Sequence, residues 1–424
     1  MNQKVKTSFD SRNLSLVRIF LLILLVQTSL TFLLPPMISH DGYNYLSSGK
    51  SLFTSDFPYR YQLMREPGFP FVVWLAYRTG NVLLALALLQ SVFLSLTATL
   101  FYKLFTQKFK LGSKATMFCI FIGLITVRGY SNTILQVCII ILILSILIYY
   151  LIWLTENRRL TNKPYLYAGI LSCTAASINS ALMCSVIGSL LASQILLRQH
   201  WRQFIKMLAS IILGIGLILV PWYSTIFPID VNSQMIPSPH TSFELNYFEK
   251  SSPIEDNLIR LKSLGSLLLV YPDRAPGYPS GYSLPGKELM LFGNYWAYGK
   301  MGECLINHGG QTEVIEYISS DIKTRCVSSW ILAGQSLLSR LLTPLYLTSG
   351  VIFLIAGVLA IVRKRTEMQM FILPVAILIS IYGVGGAGIS RFSAILPLMS
   401  PLLAYWLWAT LKIKGSYDGK SARK

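Results

Sequence analysis

The chain has 424 residues, of which 53% are hydrophobic and only 13% charged, against about 25% charged in an ordinary water-soluble domain. That deficit excludes a conventional soluble fold and calls for long stretches that face lipid. A net charge of +19 would suggest nucleic acid if the cations clustered on one domain. They fall instead in short runs between apolar segments, so no nucleic-acid partner is expected.

A transmembrane helix needs roughly 20 apolar residues, at about 1.5 Å rise each, to cross about 30 Å of hydrocarbon. In chain order, such segments lie near 15–35, 80–102, 115–128, 132–154, 165–180, 182–197, 204–225, 341–362, 369–388 and 392–411. The third, fifth and sixth are short. Arg128-Gly129-Tyr130-Ser131 breaks the stretch 115–154, and Asn179-Ser180 weakens 165–197; each stretch is read as two helices. The basic start and apolar run of residues 1–35 also suit a signal peptide. Leu33-Leu34-Pro35-Pro36 lacks the small residues of a cleavage site, so an uncleaved first helix is expected.

Charge placement orients the segments. With the N-terminus in the cytoplasm, the two termini and the loops near 103–114, 156–163, 198–206 and 363–367 hold 22 of the 37 Lys and Arg but four of the 18 acidic residues. This is the positive-inside pattern. The expected fold class is an all-α polytopic membrane protein of about ten transmembrane helices, with two larger extracytoplasmic loops carrying short interfacial helices. The expected parts are a cytoplasmic N-terminus at 1–14, a transmembrane core at 15–225 with a first outer loop at 36–79, and a large outer loop at 226–340. C-terminal helices at 341–411 and a basic cytoplasmic tail at 412–424 complete it.

The first outer loop runs from His40 and Asp41 to Leu52 with Tyr45, Ser48 and Leu52 at helical spacing, as in a short helix along the interface. Asp41 would stand near its N-terminus, where the helix favours an anion; from local sequence alone an ordinary N-cap outweighs catalysis. The loop closes with Arg65-Glu66-Pro67-Gly68-Phe69-Pro70 and an aromatic run through Trp74 and Tyr77. Two prolines and a glycine set a turn, and the aromatics suit the headgroup layer. Arg60 and Arg65 are candidates for a substrate phosphate, since the guanidinium fork matches phosphate oxygens. The second outer loop opens at Pro221-Trp222-Tyr223, is rich in Pro, Gly and Tyr, and has amphipathic stretches at 255–270 and 313–340. Loops of this length are usually lids or binding surfaces.

Of six cysteines, Cys119, Cys138, Cys173 and Cys184 fall in helices as packing residues. Cys304 and Cys326 share the large outer loop, where a disulfide and two free thiols are both open. Apart from Lys206 at the cytoplasmic edge of 204–225, the predicted helix segments contain no Asp, Glu, Lys or His, which argues against an ion-coupled transporter. Ionisable groups gather at the outer surface instead, including Asp41, Glu66, Arg60, Arg65, Arg128 and Arg391. No HExxH, GxSxG or Walker pattern occurs. The histidines (His40, His200, His240, His308) are scattered, so no metal site is expected from them.

The order of these features resembles a family. Asp41, Tyr45 and Gly49 follow the first helix, Arg65-Glu66-Pro67-Gly68-Phe69-Pro70 supplies a turn, Pro221-Trp222 closes a later helix, and Ser390-Arg391-Phe392 precedes Pro397 and Pro401. In that order the chain resembles the membrane glycosyltransferases of the GT-C superfamily, in the bacterial group similar to dolichyl-phosphate-mannose-protein mannosyltransferases and aminoarabinose transferases. Departures are Gln136 and Asn179, where the group often has Glu and Arg, and Ser224-Thr225 in place of Arg-Asn.

The resemblance implies a hexosyl- or pentosyltransferase of the plasma (bacterial inner) membrane, with its site on the periplasmic or extracellular side. It would move a sugar from a polyprenyl-phosphate donor to a glycan, lipid or protein acceptor, with inversion. Asp41 would be general base and Glu66 the reserve carboxylate. Arg391, Arg65 and Arg128 would hold phosphate, with Tyr45 and Arg60 nearby. A divalent cation is left open. A glycan polymerase or ligase of the O-antigen type, and a flippase of lipid-linked saccharides, are the alternatives.

Overall fold

The structure, a computed structural model, describes residues 16–29, 31, 37–38, 45–46, 48–50, 52–53, 66–127, 136–156, 162–226, 296–297, 348–385 and 395–421. Each of the ten apolar segments is occupied by a helix. In chain order these elements are α1 (Leu16–Ser29), β1 (Met37–Ile38), α2 (Gly68–Tyr77), α3 (Val82–Lys103), α4 (Ser113–Thr126) and α5 (Val137–Glu156). They continue with α6 (Lys163–Ile178), α7 (Ser180–Leu196), α8 (Trp201–Ile226), β2 (Trp296–Ala297), α9 (Thr348–Val362), α10 (Thr366–Gly385) and α11 (Ile395–Ser421). The fold is helical, with one addition to the all-α expectation. β1 and β2 pair antiparallel, Met37 opposite Ala297 and Ile38 opposite Trp296, tying the first long loop to the second.

Among the described residues three stretches are long and apolar enough to cross a membrane: Leu84–Lys108, Val137–Glu156 and Trp201–Ser224. The first includes a π-helical turn, Leu104–Lys108, that extends α3. Helix α5 is central, packing on α3, α6, α7 and α10, with 72% of its apolar window buried. Helix α8 is peripheral at 17% and leaves Ile212, Leu213, Leu217 and Val220 bare. An apolar face of that extent suits lipid and is avoided in water. Every buried polar side chain among the described residues is uncharged, Gln27, Thr31, Gln90, Ser91 and Gln136 being examples.

Helix contacts are close where side chains are small. Lipid gives apolar side chains no incentive to cluster, so small residues that let backbones approach dominate such seams. A Cβ on Gly214 of α8 would lie 2.1 Å from the Gly169 carbonyl oxygen of α6, and one on Gly169 would lie 3.0 Å from the Ser210 carbonyl oxygen. A Cβ on Gly123 of α4 would lie 2.5 Å from the Leu398 carbonyl oxygen of α11. Helix α7 meets α10 where Ser185 Oγ donates to the Pro374 carbonyl at 2.7 Å.

The contacts also sort the helix ends. Lys103 Nζ donates to Tyr149 Oη at 2.7 Å and Lys108 pairs with Glu156, so α3 and α5 lie parallel with their C-termini together. Tyr150 Oη donates to the Pro164 carbonyl, Gly112 N–H to Tyr405 Oη, and the Arg363 guanidinium to the Thr410 carbonyl. All of these ends belong to segments that the charge pattern assigns to the cytoplasm. At this end α7 and α9 finish with a cation in the left-handed region, Arg198 (φ 52) and Lys364 (φ 51). The next N–H reaches back to a carbonyl five residues earlier, Gln199 to Gln194 and Arg365 to Ala360, a Schellman closure with lysine or arginine where glycine is usual. The helix dipole favours the positive charge there.

Helix α8 runs to Ile226, within a residue of the end of the segment 204–225 read from the sequence, so Pro221-Trp222 lies inside its last turns. Proline removes one N–H there, and the Ser224 hydroxyl donates to the Pro221 carbonyl at 2.9 Å. Helix α11 runs to Ser421, so most of the expected tail is helical. The amphipathic stretches at 255–270 and 313–340 lie outside the described residues.

Candidate functional site

The described part of the first long loop folds onto α2. Gly68 opens this helix behind Pro67, and Pro70 sits in its first turn, where a missing N–H costs nothing. Against it lies the helical turn over 45–50, closed by Leu52 N–H to the Ser48 carbonyl at 3.1 Å. Tyr45, Ser48 and Leu52, placed on one face by their spacing, are all buried, at 3%, 0% and 2% exposure. The Tyr45 ring meets Phe69 edge to face with centroids 4.8 Å apart. A Cβ on Gly49 would lie 2.5 Å from Val73 Cγ1 and 3.0 Å from the Pro70 carbonyl oxygen. The stretch that follows Asp41 is thereby locked to the turn that follows Arg65-Glu66.

Beside this lock an aromatic shelf is exposed. Phe53 lies edge to face against Trp74 at 5.1 Å, and Phe71 stacks on Trp74 at 5.6 Å. The Arg78 guanidinium stands 4.9 Å above the same indole. Such amphipathic rings with a cation suit the headgroup layer.

Glu66 and the α6–α7 corner form the second part. A Cβ on Gly68 would lie 2.7 Å from the Ser177 carbonyl oxygen and 2.8 Å from Ile178 Cδ1, so only glycine lets the 66–68 turn approach α6 this closely. That approach carries Glu66 to the start of α7, where its Oε1 accepts from Ser180 N–H at 2.7 Å. Asn179, extended at φ −164 and ψ 132, accepts from Ala181 and Leu182 N–H at 3.0 and 3.1 Å. Its own N–H goes to the Ala175 carbonyl at 3.0 Å. The free donors that a helix start leaves are thus met by two side chains and the preceding turn. Asn179, read from sequence as a weak point in an apolar stretch, is an N-cap. That role was legible from residue type alone, whereas Glu66, 114 residues away, carries no local signal for α7.

Of the predicted site residues, Tyr45 and Glu66 are placed as above, about the same loop and helix. Asp41, Arg60, Arg65, Arg128, Arg391, Cys304 and Cys326 lie outside the described residues. Gln136 stands just before α5, 7% exposed, with its Oε1 unpartnered among the described residues. Cys119, Cys138, Cys173 and Cys184 are free thiols; Cys138 is fully buried, while Cys184 is exposed. No group of three or more His, Cys, Asp or Glu able to hold a metal ion occurs among the described residues. No family model, no curated protein and no solved structure matches the chain.

Proposed function

We propose that the chain is a ten-span glycosyltransferase that takes its sugar from a polyprenyl-phosphate carrier on the extracytoplasmic face. The observation that carries this reading is the packing of Tyr45 and Gly49 on Phe69, Pro70 and Val73. It draws the segment behind Asp41 against the turn behind Arg65, where a carboxylate and a phosphate-binding cation would have to meet. The β1–β2 pairing, three residues before Asp41 at its nearer end, adds the second long loop to the same neighbourhood. The absence of buried charge among the described residues favours chemistry at the surface.

In this reading the acceptor hydroxyl oxygen bonds to the anomeric carbon as the bond from that carbon to the phosphate oxygen breaks. The Asp41 carboxylate takes the hydroxyl proton, and the polyprenyl phosphate leaves with the bonding pair. Arg65, Arg128 and Arg391 stabilise the charge building on the phosphate, with Tyr45 and Arg60 supporting the site. One displacement inverts the anomeric centre. Glu66 holds the 66–68 turn to α7 and is a positioning residue.

The test is release of the carrier by protein reconstituted with lipid-linked sugars extracted from its native membrane. Asp41→Asn, shown to be folded and inserted, should lower release about 10²–10⁴-fold, the usual contribution of a positioned base. Wild-type release by that variant refutes the assignment of the base. Translocation of lipid-linked saccharide without carrier release would identify a flippase instead, and dependence on arginines but not Asp41 a polymerase or ligase.

A further inference from the structure

The N-terminal ends of α6 and α8 form a second charged region that the transfer reaction does not use. The two helices run parallel: Lys206 Nζ stands 5.9 Å above the Tyr165 ring, and one turn further on Gly169 abuts Ser210. The return from α7 adds Arg198 to the same end. Arg198, Arg202 and Lys206 are exposed, and no carboxylate among the described residues pairs with them. Lys108, on the far side of α5, is by contrast neutralised by Glu156.

Beside Arg202 an open pocket of about 540 Å³ is lined by His200, Trp201, Arg202 and Gln203. Trp201 is 70% exposed and stacks on Phe204. Further along the same two helices the surface turns apolar, with Leu166 and Ile170 of α6 and Leu213 of α8 all bare. A cationic pocket, an indole at its rim and an apolar wall below it make an amphipathic site. A soluble anion would match the cations alone, and a neutral lipid the wall alone. An acidic glycerophospholipid matches both, its phosphate at the cations and its acyl chains on the wall.

We propose that the α6–α8 end binds one acidic phospholipid through Arg198, Arg202 and Lys206, with its tails on the exposed faces of Leu166, Ile170 and Leu213. The glycine seam fixes the cations relative to the wall, because α6 and α8 cannot slide without separating Gly214 from Gly169. The proposal rests on the chain lying in a membrane and is independent of the transferase reading.

The test uses full-length protein in nonionic detergent, titrated with phosphatidylglycerol and with phosphatidylcholine, bound lipid being counted by native mass spectrometry. Phosphatidylglycerol should bind in preference and survive delipidation. Each cation near an anionic headgroup contributes about fivefold, so Arg198→Gln/Arg202→Gln/Lys206→Gln should weaken binding on the order of 100-fold. A charge-matched control elsewhere on the same end, Lys364→Gln/Arg365→Gln/Lys412→Gln, should stay within about threefold of wild type. The three cations are solvent-exposed, so folding is expected to survive, and an unchanged size-exclusion profile confirms that. Equal retention of the two lipids overturns the proposal, as does an equal loss in the control, which would mean diffuse surface charge. Complete displacement of phosphatidylglycerol by millimolar inorganic phosphate would also overturn it, by showing a site for a free anion.

Discussion

Gly214→Ala is a sharp test of the packing, because Gly216 two residues away supplies its own control. A Cβ at Gly214 would meet the Gly169 carbonyl oxygen at 2.1 Å, with the Gly169 carbon at 2.9 Å, while one at Gly216 meets nothing within 4 Å. Ordinary contact begins near 3.4 Å, so α6 and α8 would have to separate by about 1.3 Å, backbone from backbone, with no flexible side chain to give way. Overpacking of this kind costs about 1–3 kcal/mol. Alanine recovers up to about 1 kcal/mol over glycine in a helix interior, which offsets only part of that. Gly214→Ala should therefore be destabilised by about 1–2 kcal/mol and Gly216→Ala stabilised by up to about 1 kcal/mol. Heating each variant in detergent and following the monodisperse fraction by size exclusion reads the sign directly. Midpoints that move in the same direction for both would refute the close α6–α8 seam.

Three further outcomes can be checked. Glu66→Gln keeps an oxygen for Ser180 N–H and should match wild type in thermal stability, whereas Glu66→Ala, which gives up an exposed hydrogen bond that water partly replaces, should lose about 0.5–1.5 kcal/mol; if Glu66→Gln abolishes carrier release while staying folded, the base is Glu66 and not Asp41. Gly49→Ala should be destabilised, since its Cβ would fall 2.5 Å from Val73 Cγ1 against the Pro70 carbonyl. Proteolytic susceptibility of the first outer loop reports this, and an unchanged cleavage pattern would contradict the lock. Lys108→Cys with Glu156→Cys, in a background lacking the four helix cysteines, should cross-link under mild oxidation because α3 and α5 end together; failure to do so would mean they do not.

The ten helical segments were legible along the chain, and so was the division of 165–197 at Asn179. Both follow from local properties, the length of an apolar run and the preference of asparagine for a helix start. The buried stripe of Tyr45, Ser48 and Leu52 was equally readable, since a 3.6-residue period places them on one face whatever they pack against. The end of α11 was not, because a charged tail is compatible with continuing or stopping. Which segments touch was decided only in three dimensions. Glu66 meets α7 across 114 residues, Gly214 meets Gly169, and α3 lies parallel to α5, through contacts that depend on how far each helix is rotated about its axis. Hydropathy sets that a segment is buried in lipid or protein, but it is nearly blind to rotation, since in a membrane both faces of a helix are apolar. The small residues and the few polar atoms choose the partner, and only their meeting in space shows which ones.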